Sequence, residues 1–191
     1  DFARGLVLDK TTIKNKQRMQ YWSALALLRG VMSSPAAGVE MLIKRIYNQE
    51  IEIEPDNEDN PIIEEEFSGQ NDLTPIELIA KTEWNDPQQK LLSELSLELD
   101  SLKNLDSDYK IKETLKIISK WMKEGFNPVI FCRYIATAKY IGELISEPLK
   151  KEFKSCDIQV ITSEDPDDVR KQRINDMSSA YKRLLIATDC L

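Results

Sequence analysis

Apolar positions change their spacing twice along this 191-residue chain. Within residues 11–29 (TTIKNKQRMQYWSALALLR), Tyr21, Trp22, Leu25 and Leu28, then Val31, recur at three- and four-residue steps. That is the period of a helix with one buried stripe, and Thr11 or Thr12 can cap its start. Ser33-Ser34-Pro35 ends it, and Ser34 suits an N-cap with Pro35 at the first position of a second helix running to about Asn48. Residues 1–48 are therefore predicted to form a helical hairpin with its basic residues mostly outward.

The pattern is lost over residues 49–73, which hold two prolines, many acids and scattered apolar residues (EIEIEPDNEDNPIIEEEFSGQND). Such a stretch buries too little apolar surface to offset the entropy of ordering, so a flexible acidic loop is expected, either a plain solvated linker or a regulatory mimic of nucleic acid. Helical spacing resumes in residues 74–107, with helices at about 75–83 and 86–104, the second carrying Leu91, Leu92, Leu95 and Leu99 on one stripe. Residues 108–125 predict an amphipathic helix with Ile111, Leu115, Ile118, Trp121 and Met122 inward and Gly125 closing it.

From residue 126 short β-branched runs alternate with helical patterns. Pro128–Cys132 reads as a buried parallel strand, Ile135 to Leu149 as a helix, and Ile158–Ile161 as a second strand. Asp167–Ser179 follows as a helix and Leu184–Thr188 as a third strand. Strand, helix, strand, helix, strand predicts a parallel α/β sheet. The chain ends at Leu191, just after the third strand, and a three-stranded parallel domain is small, so a truncation is expected there.

Charge sharpens this division. The net charge of −7 is the balance of local charges of +5 in residues 1–48, −15 in 49–108 and +3 in 109–191. Overall acidity therefore does not exclude phosphate contacts by the outer segments. Cys132, Cys156 and Cys190 are odd in number and far apart, which suits reduced thiols and a cytoplasmic protein. With no histidine and no C-x-x-C pair, a structural zinc site and a His-dependent triad are both excluded. No apolar run is long enough to cross a membrane, and no signal peptide is expected at the N-terminus.

Ligands of parallel sheets collect where strands end and helices begin. Three such tips carry Cys132-Arg133-Tyr134, Thr162-Ser163-Glu164-Asp165 and Thr188-Asp189, a combination of hydroxyls, backbone N–H groups and an arginine suited to phosphate. Polar residues at strand ends also serve merely to cap helices. No G-x-x-x-x-G-K-[ST] or G-x-G-x-x-G loop is present, so the chain has no nucleotide cradle of its own. A methyltransferase-like domain would need a Gly-rich loop after the first strand, where Cys132-Arg133-Tyr134 stands instead.

Read together, these blocks resemble the second RecA-like domain of superfamily 2 helicases. Residues 110–133 (KIKETLKIISKWMKEGFNPVIFCR) resemble its opening, where a strand ends in an F-[SC]-[RQ] motif IV. Residues 160–177 (VITSEDPDDVRKQRINDM) resemble the next block, and RLLIATDCL at 183–191 looks like the start of motif V. LLRGVMSSPAA is similar to the helices joining the two motor domains in Swi/Snf-type and related bacterial proteins.

The resemblance implies the following roles. Residues 1–48 would be the inter-domain linker and 108–191 a partial C-terminal RecA-like domain. Cys132 and Arg133 would contact the nucleic-acid backbone, as would Thr162, Ser163 and Thr188, although serine at 163 departs from a family glycine. Arg170 and Asp189 would couple those contacts to the ATP cleft. ATP and Mg²⁺ would bind in the intact protein and not to this fragment, which would be inactive alone. Partners would be nucleic acid, DNA favoured over RNA, and the first RecA-like domain of the same chain. The residues also admit plainer roles: a small buried Cys132, a surface Arg133, turn residues at Thr162 and Ser163, a helix ion pair at Arg170 and a helix cap at Asp189. Trp22, Trp84 and Trp121 read as core, and Lys14, Lys16 and Arg18 as a solvated face. The competing reading of the whole chain is a non-enzymatic protein-interaction module with an acidic regulatory loop.

Overall fold

A computed structural model describes residues 14–47, 86–177 and 179–188. The predicted acidic loop, the 75–83 helix, Trp84, Asp189 and Cys190 lie outside the described residues, as do the side chains of Lys14, Lys16 and Arg18. The chain divides into two compact units, residues 1–100 and 101–191.

In the first unit α1 (Lys14–Ser33) and α2 (Pro35–Tyr47) are separated by Ser34 alone. Its hydroxyl accepts a hydrogen bond from the Ala37 N–H at 3.1 Å, the N-cap that the Ser-Pro pair predicts. Small residues let the two helices approach. A Cβ on Gly30 would collide with Met41, and one on Gly38 would meet Val31 at 2.9 Å and Leu99 at 3.0 Å. Leu99 belongs to α3 (Asp86–Ser101), whose inner side is Leu92 and Ser96, while Leu91 faces solvent, off the expected stripe.

The second unit begins with α4 (Tyr109–Lys123), capped by Asp108. At its far end Gly125 lies just past the C-cap with φ +98°, the Gly125 N–H reaches the Met122 carbonyl and the Phe126 N–H reaches that of Trp121. This pair of bonds closes the last helical turn on a left-handed residue, which glycine adopts without strain. Ile111, Ile118 and Met122 are buried as expected, whereas Trp121 is 47% exposed and is not a core residue. It stands on the flank of the stripe, beside the wholly buried Met122.

Three strands follow: β1 (Val129–Phe131), β2 (Cys156–Ile161) and β3 (Lys182–Ala187). All pair in parallel in the order β1-β3-β2. The chain crosses from β1 to β2 through α5 (Ile135–Glu152), then returns to the centre through α6 (Asp167–Met177). These crossovers run in opposite directions, so a common right hand sets α5 and α6 on opposite faces. A Cβ added to Gly142 of α5 would collide with Val160 and lie 3.8 Å from Ile186, which assigns Ile158, Val160, Leu184 and Ile186 to the α5 face. The other face carries Ile161, Leu185, Ala187, Val129 and Phe131. α6 rests on β2 and leaves the opposite edge strand, β1, uncovered, so Val129 and Phe131 are 47% and 68% exposed. β1 is therefore not the wholly buried strand that its apolar run suggested.

Candidate functional site

The register fixes the relation of the strand tips. Phe131 and Ile161 both stand opposite Ala187. One step further, the Cys132 N–H donates to the Ala187 carbonyl at 2.7 Å and the Thr188 N–H to the Ile161 carbonyl at 3.1 Å. Cys132, Thr188 and Thr162 thus lie level across the sheet with Thr188 in the middle. The parallel strands expected from the sequence thus bring these three tips to one edge of the sheet.

The ledge has two tiers. Cys132, Thr162 and Thr188 are buried, Thr188 completely. They can shape the rim, but their side chains are not free to meet a large ligand. Arg133 and Ser163 are exposed on the same rim. α5 begins beside Arg133 with no side-chain cap and no acid in its first turn, so its N-terminal partial positive charge is left uncompensated by a carboxylate there. α6 instead carries Asp167 and Asp168 in its first turn, which oppose an anion at that helix end.

The turn after β2 is locked by Asp165 of the tip together with Arg173, which the sequence did not single out. The Asp165 N–H donates to the Thr162 carbonyl, and the Thr162 N–H donates back to Asp165 Oδ2, each at 3.1 Å. Arg173 Nη1 lies 3.3 Å from Asp165 Oδ1 and donates to the Val160 carbonyl at 3.2 Å. An acid just before Pro166 and an arginine two turns into the next helix was the available signal. Thr162 therefore serves this turn. Arg170 pairs with Asp167 one turn away, the ordinary helix ion pair. Lys139 of α5 reaches Glu164 at 2.5 Å across the rim, both side chains being more than half exposed.

Lys139, Arg170 and Arg173 thus pair with Glu164, Asp167 and Asp165, and Arg133, which has an interaction of its own, is exposed on the same rim. Among the described residues no group of three or more His, Cys, Asp or Glu side chains could hold a metal ion, and no helix is long and apolar enough to cross a membrane. No protein-family model, curated protein or solved structure matches the chain.

Proposed function

We propose that this chain is the linker and the front half of the second motor domain of an ATP-driven helicase or translocase of superfamily 2. The observation that carries the proposal is the level row Cys132–Thr188–Thr162 at the carboxyl ends of three parallel strands, with Arg133 and Ser163 exposed beside it. Parallel α/β sheets bind ligands at this edge. In this reading Arg133 contacts a backbone phosphate, and the buried Thr188 supports the ledge from beneath. The phosphate loop and the acidic Mg²⁺ ligands belong to another domain of the intact protein, so ATP hydrolysis requires both domains.

A titration of the 191-residue chain with a short DNA duplex at low salt, followed by amide NMR, tests this. Shifts should centre on Arg133, Ser163 and Thr188, and Arg133→Ala should lower the salt slope of binding by about 1. The chain alone should not turn over ATP. Shifts that avoid all three strand tips, or ATP hydrolysis by the chain alone, would overturn the proposal.

A further inference from the structure

The end of the sheet opposite the ledge combines lysines and exposed rings. Topology gathers there the starts of all three strands and the C-terminal turns of α4, α5 and α6. Lys182, the first residue of β3, ties this end together. Its Nζ reaches the Met122 carbonyl of α4 and stands 5.7 Å from the ring centroids of both Phe153 and Tyr181. Around it, Trp121 is 47%, Phe126 61% and Tyr181 85% exposed. Apolar groups of this size are usually covered, and aromatic rings left open among charges mark interaction surfaces.

Lys120, Lys150 and Lys154 are exposed at the same end and make no hydrogen bond or ion pair among the described residues. The acids there are mostly engaged: Glu147 with Lys151, Glu152 with Lys123 and Ser119, Asp157 with Gln159. Glu124 and Asp176 are the exposed carboxylates that remain. A lysine in the last turn of a helix is favourable against the helix dipole, which accounts for Lys120 and Lys150 without a ligand. It does not account for three open rings at the same end.

Exposed rings and lysines at one end are what a flexible polyanion with stacking faces requires: phosphates meet the lysines and bases lie on the rings. We infer that the helix-C-terminal end of residues 101–191 is a binding surface for single-stranded nucleic acid, separate from the ledge. Its stacking platform is Trp121, Phe126 and Tyr181, and its phosphate contacts are Lys120, Lys150 and Lys154. Sequence preference is weak, because every base offers a π face, and affinity falls with salt.

The test is fluorescence anisotropy of a labelled oligo(dT) of about 20 nucleotides, long enough to cover a surface of this kind. The chain should bind it at low salt. Tyr181→Ala should weaken binding about ten-fold while Tyr181→Phe retains it, since stacking needs the ring and not the hydroxyl. Lys120→Gln/Lys150→Gln/Lys154→Gln together should reduce the salt slope by about 2. Arg133→Ala on the ledge should leave oligo(dT) binding unchanged, which separates this surface from the duplex contacts proposed above. No binding at low salt would overturn the inference. So would binding that depends on Arg133 and not on Tyr181, or equal binding of heparin and oligo(dT) with no effect of Tyr181→Ala. Tyr181-dependent self-association in sedimentation, without oligo(dT) binding, would assign the surface to a second copy and overturn it too.

Discussion

Asp108 performs two tasks with one carboxyl group, and its removal should cost more than either task alone. Its Oδ1 accepts the Ile111 N–H at 3.1 Å, capping α4, and its Oδ2 accepts the Tyr140 hydroxyl of α5 at 2.9 Å. Both residues are buried, Asp108 at 8% and Tyr140 at 4% exposure. Asp108→Ala loses the cap, about 1 kcal/mol, and strands a buried hydroxyl, about 1–3 kcal/mol, for a total of roughly 2–4 kcal/mol. Tyr140→Phe removes the hydroxyl but spares the cap, so it should cost about 1–2 kcal/mol. In the double variant no hydroxyl is stranded, and the combined cost should fall short of the sum by about 1–2 kcal/mol. Urea unfolding followed by Trp121 fluorescence, with Trp22 and Trp84 replaced by Phe, reads the unit that contains both residues. Costs that simply add, or an Asp108→Ala cost below about 0.5 kcal/mol, would refute the shared role. The pair also has a pH signature. Burial, aided by the bond to Asp108, holds the Tyr140 phenol protonated above its ordinary value of 10.0. The unfolded chain loses that proton first, so stability is intact below pH 10 and declines above it. The advantage of wild type over Tyr140→Phe should shrink by about 1.4 kcal/mol per pH unit in that range.

Other outcomes follow from single positions. Gly125→Ala should destabilise by about 1–2 kcal/mol from backbone strain alone, because φ is +98° and an added Cβ would touch nothing; thermal melting reads this directly. Gly142→Ala should also destabilise, by about 1–3 kcal/mol despite the better helix propensity of alanine, because the new methyl would collide with the branched, well-seated Val160; urea midpoints decide the sign. Cys156, whose thiol is pushed up by burial and then by Asp157, should alkylate with iodoacetamide at pH 8 far more slowly in the native chain than in urea, as peptide mass mapping will show.

The elements that announced themselves did so through local chemistry. Ser34-Pro35 and Gly125 have one sterically natural use each, and the structure places both as a helix cap and a helix stop. Parallel strands were legible because β-branched runs alternated with helical spacing. What stayed hidden depends on partners that no local pattern encodes. Trp121 keeps helical spacing with the stripe, but it lies on its flank and is 47% exposed while Met122 beside it is buried. Val129 and Phe131 belong to an apolar run, yet α6 returns beside β2 and leaves the outer face of β1 open. The same limit applies to the ledge. Its three tips could be named from sequence, but the division into buried Cys132, Thr162 and Thr188 and exposed Arg133 and Ser163 arises only from the register and from the Asp165–Arg173 lock.

That division changes what each residue can contribute. A hydroxyl at 0% exposure cannot first meet a ligand by collision, so Thr188 can act only by holding the backbone around it. Arg133 can meet a phosphate directly, because it is exposed beside a helix start that no acid occupies. Substitutions should separate accordingly. Arg133→Ala should change affinity and its salt dependence while leaving stability within about 0.5 kcal/mol, the usual range for surface sites. Thr188→Val should cost stability, because it removes a wholly buried hydroxyl that is not left unsatisfied, and should change the salt slope little. If Thr188→Val instead lowered the salt slope at unchanged stability, the threonine would be touching phosphate itself. The two-tier description of the ledge would then be wrong.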